Sequence, residues 1–150
     1  MELADEITIP ATIDQVYAGL NNIEILQACI PGCEELVRHS ETELEAKVVL
    51  KIGPVKAKFS GRVTLDNSNA PSGFTLTGEG DGGVAGFAKG GADVELVADG
   101  DSTVLKYKAV AETGGKIAQL GGRLIDSTAR KLSKAFFTKF EALMSGDTAE

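Results

Sequence analysis

The spacing of apolar residues changes twice along this chain. Leu3, Asp5, Ile7 and Ile9 alternate with Ala4, Glu6 and Thr8, the period of a strand, and Pro10 closes it. Thr12 then stands where a helix cap belongs, ahead of Ile13, Val16, Tyr17 and Leu20 at helical spacing. Asn22 caps a second short helix to about Ala28, and Ile30-Pro31-Gly32 stops it.

From Cys33 to about Glu112 the period is two. Residues 43–52 place Leu44, Ala46, Val48, Leu50 and Ile52 on one face. After Gly53-Pro54, residues Val55, Ala57, Phe59, Gly61, Val63 and Leu65 face one way, with Lys56, Lys58, Ser60, Arg62 and Thr64 opposite. Such strands belong to an antiparallel sheet with one wet face. Asn67 to Gly73 reads as a turn. Phe74 to Thr77, Ala92 to Val97 and Thr103 to Ala111 supply further strands, and Asp99-Gly100-Asp101 marks a hairpin.

Helical period returns over 116–144. Ile117, Leu120, Leu124, Thr128, Leu132, Phe136, Phe140 and Leu143 form one stripe, flanked by Ile125, Ala129 and Phe137. A helix of this length runs about 43 Å and crosses a whole small domain. Its stripe must cover the apolar face of the sheet, since nothing else is left to do so. The expected fold is α+β: a curved antiparallel sheet of six to seven strands, two short helices after strand 1, and a long C-terminal helix. This helix-grip arrangement usually keeps a cavity between helix and sheet. One domain spans 1–145, with 146–150 as a polar tail.

Composition narrows the chemistry. One His excludes sites built on two imidazoles, and two Cys exclude a disulfide framework or a four-cysteine metal site. A net charge of -7 argues against nucleic acid as a partner. That total hides an asymmetry: residues 114–144 carry six cations against two anions, net +4, leaving -11 on the rest. The N-terminus has no signal-peptide pattern and no apolar run spans a bilayer, so the expected location is cytoplasmic.

Several local patterns have plainer readings than their chemistry. Gly78-Glu-Gly80-Asp-Gly82-Gly83 contains G-x-G-x-x-G, but no helix follows and two acids would repel phosphate. Its seven glycines up to Gly91 let strands bend or close tightly. Cys29 and Cys33 are spaced as separate structural thiols, His39 as a turn residue, and Glu34/Glu35 and Glu43/Glu45 as solvated carboxylates. Tyr107 shares the inward face of Leu105, Ala109 and Ala111, so its phenol needs a partner from the core or from a ligand carbonyl. Gly121-Gly122 interrupts the terminal helix and either packs closely against the sheet or leaves space.

Four separated motifs carry a resemblance: Ala28-Cys-Ile-Pro-Gly-Cys-Glu34, Ile52-Gly-Pro-Val-Lys-Ala-Lys-Phe-Ser-Gly61, Gly86-Phe-Ala-Lys-Gly90 and Gly114-Gly-Lys-Ile-Ala-Gln-Leu-Gly-Gly-Arg-Leu-Ile-Asp126. With Thr128-Ala-Arg-Lys-Leu132 and Phe136-Phe137 they resemble the CoxG family of carbon monoxide dehydrogenase subunits over roughly residues 2–143. The resemblance implies a START-like helix-grip fold. It also implies an accessory role for a molybdenum CO dehydrogenase-type hydroxylase, with a bound lipophilic quinone and recruitment to the membrane. Many members carry a Pro-rich apolar C-terminal extension. This sequence shows none, so the expectation is a soluble or peripheral role at the inner face of the cell membrane.

The expected function is therefore non-enzymatic binding of a quinone or similar lipophilic molecule, with no covalent cofactor and no metal. Phe59, Phe74, Phe87 and Tyr107 are the expected cavity wall on the sheet, and Leu120, Gly121, Leu124 and Ile125 the wall on the helix. Cys29, Pro31, Cys33, Gly86 and Lys89 are the expected rim. The alternative is an assembly or docking protein for the hydroxylase with a filled core. An enzyme would need an acid and a base converging inside the cavity.

Overall fold

Two caps read from the sequence set the short helices. In the computed structural model, which describes residues 1–145, the Thr12 hydroxyl accepts from the Gln15 N–H at 3.3 Å. Gln15 Oε1 in turn accepts from the Thr12 N–H at 3.0 Å, closing a capping box at the start of α1 (Ile13–Leu20). Asn22 Oδ1 accepts from the Ile25 N–H at 3.1 Å and opens α2 (Ile23–Cys29).

β1 (Glu2–Ile9) precedes the helices. After them come β2 (Cys33–Arg38), β3 (Glu43–Ile52), β4 (Val55–Asp66), β5 (Gly73–Asp81), β6 (Phe87–Asp99) and β7 (Ser102–Gly114). All seven form one antiparallel sheet in the order β1-β7-β6-β5-β4-β3-β2. Its register sets Leu44 opposite Val63, Leu65 opposite Leu76, Phe74 opposite Val94 and Leu105 opposite both Leu96 and Ile7. The period-two apolar set therefore shares one face, the face that α3 (Gly122–Met144) crosses.

β5 and β6 are longer than their apolar patterns mark. Gly78 and Gly80 lie inside β5, and Gly90 and Gly91 inside β6, fully paired along the ladder. Only Gly82 to Gly86 leave the sheet, in a turn with one 3-10 segment, Gly83–Ala85.

The terminal helix is shorter than the sequence pattern and starts later. Ile117–Leu120 is a separate 3-10 turn, Gly121 breaks the chain with φ of 98°, and α3 begins at Gly122. The glycine pair thus sits at the helix start and not inside it. Twenty-three residues give about 35 Å instead of about 43 Å. The expected tail, 146–150, lies outside the described residues.

The core comes in two pieces. The larger gathers Ile9, Val16, Leu20, Leu36, Leu44, Leu65, Phe74, Leu96, Leu105 and Phe140 near α1 and α2. The smaller gathers Ile52, Phe59, Ala85 and Ile117 at the opposite end, with Leu120, Leu124 and Ile125 packed on it.

Candidate functional site

Between the two clusters the inward face of the sheet is built from very small residues. Gly61, Gly78, Gly80, Ala88, Gly90, Ala92, Ala109 and Ala111 fall in register across β4 to β7, and all are only half-buried. None of the alanines belongs to either cluster, and neither does Val48 beside them or Leu132 above them. A β-carbon built on Gly61, Gly78 or Gly80 would meet first the neighbouring strands, not α3.

The helix shows the matching gap from above. α3 has a full apolar stripe, yet Phe140 is its one fully buried residue, at 0% exposure. Leu124, Thr128, Leu132 and Phe136 on that stripe stay half-buried. Helix and sheet pack together at two ends, and between them the facing apolar residues stay half-buried, which outlines a candidate cleft. Such a lining favours burial of an apolar guest.

Two crevices lie beside α3, the first on its β1 side. A crevice of about 400 Å³ there is lined by Leu3, Asp5, Ile7, Tyr107, Arg130, Ser133, Lys134 and Phe137. A second, about 200 Å³, lies against Thr113, Gly122 and Ile125 near the helix start.

Phe59 is buried in the smaller cluster and closes that end of the cleft, with Leu120, Leu124 and Ile125. Phe74 is buried in the larger cluster, its ring edge-on to Tyr17 at 6.0 Å. Tyr107 reaches α3: its phenol lies 2.5 Å from Ser133 Oγ, and its ring stacks on Phe137 at 5.2 Å. The core thus supplies the partner that the buried phenol required. Gly121 and Gly122 are exposed, with no atom within 4 Å of a β-carbon built on either, so the pair serves open space and not close packing.

Three assignments change. Phe87 is 46% exposed and lies on the outward face, where its ring covers Gly114, so it is no wall of the cleft. Lys89 shares that outward face and pairs with Glu112 at 3.7 Å. Cys29 is 2% exposed inside the larger cluster, where burial raises its thiol pKa, and is no rim residue. Pro31 and Cys33 are half-buried at the α2–β2 corner, where the Cys33 thiol donates to the Glu35 carbonyl at 3.5 Å. Gly86, with φ of 113°, lets its backbone lie against Gly114 and holds the 82–86 turn over the smaller cluster.

A larger concavity, about 860 Å³, lies on the other side of the sheet. Its walls are outward residues held in ion pairs, including His39 with Glu45 at 2.9 Å and Lys89 with Glu112. The His39 contact holds the Glu45 carboxyl below its ordinary range. This trough lies on the solvent face of the sheet, away from the apolar stripe of α3, so the smaller crevices beside α3 are the better candidates. Glu34 and Glu35 are likewise solvated, facing Lys58 and Lys47. Among the described residues no three His, Cys, Asp or Glu side chains gather to hold a metal. Among them, too, no helix is long and apolar enough to cross a membrane.

This fold is shared by proteins of known structure. A conserved protein from Geobacillus kaustophilus is 28% identical, with a TM-score of 0.90 over 97% of this chain and 95% of its own. A START superfamily protein from Mycobacterium smegmatis is 15% identical, with a TM-score of 0.72 over 98% and 99%. The ZhuI aromatase/cyclase from Streptomyces sp. R1128 is 12% identical, with a TM-score of 0.68 over 97% and 94%, so the fold also houses enzymes. No curated protein sequence matches the chain. A family model does, over residues 6–145, and with the helix-grip fold in hand it makes this chain a member of the CoxG family of carbon monoxide dehydrogenase subunits.

Proposed function

We propose that this protein is a non-enzymatic accessory protein that holds a lipophilic molecule, a quinone, under α3 on behalf of a molybdenum CO dehydrogenase-type hydroxylase. One observation carries the ligand reading: an apolar helix stripe and an apolar sheet face oppose each other, yet only Phe140 of α3 is fully buried. Leaving that much apolar surface half-wet costs about 25 cal/mol per Å², a cost that a bound apolar molecule removes.

The same face supports a binder over a catalyst. The inward positions of β3 to β7 carry no ionisable side chain except Tyr107, and Asp5, its register partner in β1, stands exposed at the crevice rim. General acid–base chemistry needs two such groups converging on one substrate. Family membership supports the hydroxylase as partner. The solvent face of α3, with Arg123, Lys131 and Lys134 exposed, offers a basic surface for docking to that partner or to the inner face of the cell membrane.

Lipids extracted from natively purified protein, analysed by mass spectrometry, test the ligand directly, and titration with decylubiquinone tests the site. A co-purifying quinone, with a raised melting temperature on titration, is the expected result. An empty extract together with an unmoved melting curve would leave the alternative of a docking protein without ligand.

A further inference from the structure

The middle of the cleft is nearly free of polar atoms, so its few hydroxyls decide what it can recognise. We infer that the Tyr107–Ser133 hydroxyl pair is the hydrogen-bonding point of the cleft and selects uncharged lipophilic molecules with an acceptor oxygen over fatty acids. The inference rests on the cleft being a ligand site.

The count of protons leads to it. Two hydroxyls carry two O–H hydrogens, and the bond between Tyr107 Oη and Ser133 Oγ uses one. Neither oxygen has another partner among the described residues, so one O–H remains to donate. Both side chains are half-buried in the wall of the crevice beside β1, where a guest reaches them. A carbonyl oxygen placed there takes the spare hydrogen and completes the set.

Position is fixed from both sides. Tyr107 sits in β7, paired with β1 and β6, and its ring is held against Phe137 with planes 22° apart. Ser133 lies one turn before Phe137 on α3. The pair is also the only side-chain hydrogen bond from α3 to the sheet among the described residues. A donor mounted on a strand and a helix keeps its direction when the guest arrives.

Charge decides the class of guest. Asp5, Arg130, Lys134 and Glu141 stand at the crevice rim, two of each sign, and Arg130 already donates to Asp126 at 2.9 Å. Further in, the face of Gly78, Ala92, Ala109 and Ala111 offers no cation. A carboxylate drawn inward loses its water for nothing, whereas a carbonyl gives up far less.

The test compares three probes on the intact protein: decylubiquinone, decanoate at pH 8, and N-phenyl-1-naphthylamine, which has no acceptor oxygen. Wild-type protein is expected to bind the quinone at least about tenfold tighter than decanoate. Tyr107→Phe and Ser133→Ala each leave one free O–H and are expected to keep quinone affinity within about twofold. The double variant is expected to lose about tenfold for the quinone while its affinity for the amine holds. A double variant that keeps the wild-type ratio of quinone to amine, or loses both probes alike, overturns the inference. So does decanoate binding as well as the quinone. If wild-type protein binds neither the quinone nor the amine, the ligand reading of the cleft falls first and takes the inference with it.

Discussion

The side chain of Leu124 lies 2.7 Å from where a β-carbon on Gly53 would stand. The β3–β4 turn and the first turn of α3 meet there, and a side chain at position 53 would push the Leu124 Cδ2 methyl aside. Gly53 also holds φ of 58°, so two separate costs await any substitution. Gly53→Ala is expected to lower stability by about 1–2 kcal/mol in urea unfolding, most of it from the backbone. Pairing it with Leu124→Ala should recover the steric share but not the backbone share. Full recovery in that double-mutant cycle would show that the left-handed turn carries no cost.

Gly121 and Gly122 are adjacent and equally unhindered, yet the same substitution should act oppositely on them. Gly122 is the first residue of α3 with ordinary backbone geometry, so Gly122→Ala is expected to stabilise by about 0.4–1 kcal/mol. Gly121→Ala must hold φ of 98° and is expected to destabilise by about 1–2 kcal/mol. Equal shifts in denaturation midpoint would contradict the break between the 3-10 turn and α3.

Two apolar residues of the same helix stripe should differ sharply. Phe140 is fully buried and stacks with Phe136 at 6.0 Å, so Phe140→Ala is expected to cost about 3–5 kcal/mol. Leu132 faces the cleft half-buried and outside both clusters, and Leu132→Ala is expected to cost less than about 1 kcal/mol without ligand. Comparable losses for both in chemical denaturation would mean that the middle of α3 is packed.

The floor of the cleft can be raised without strain at Gly80. A β-carbon there would have Phe59 as its nearest neighbour, at 3.8 Å, an ordinary contact. Gly80→Val is therefore expected to change stability by less than about 1 kcal/mol while weakening decylubiquinone binding about tenfold. Unchanged affinity in fluorescence titration would place the quinone elsewhere.

Burial raises the thiol pKa of both Cys29 and Cys33 above its ordinary value of 9.0. The unfolded chain then gives up these protons before the folded one does. Stability from this source is complete below the ordinary thiol range and declines as pH rises through it toward the folded values. Urea midpoints are expected to fall between about pH 8.5 and 10, and to fall less steeply in a Cys29→Ala, Cys33→Ala variant. At pH 8 a thiol reagent should find half-buried Cys33 before Cys29.

What could be read from the sequence was what neighbours along the chain decide. The Thr12–Gln15 box and the Asn22 cap need only three residues' reach, and the alternation in β3 and β4 marks its own faces. The start of α3 was obscured because a 3-10 turn also repeats every three residues, so Ile117 and Leu120 extend the helical stripe without belonging to the helix. The glycine pair was the signal of the break. The face of Phe87 was hidden for a different reason. Gly86, Gly90 and Gly91 give no alternation, so only pairing with Gly114, 27 residues away, fixes which way the ring points. The partnership of Tyr107 with Ser133 likewise depends on how α3 lies across the sheet, which no local pattern encodes.

A core in two clusters is expected to give the two ends of the domain unequal resistance to opening. Amide exchange around Ile52, Phe59, Ala85 and Ile117 should then be faster than around Ile9, Leu105 and Phe140, because the smaller cluster can open while the larger holds. A guest that spans the gap would tie the clusters into one and slow exchange at both ends together. On the proposed function, a bound ligand would bridge the two clusters and complete the interior between them.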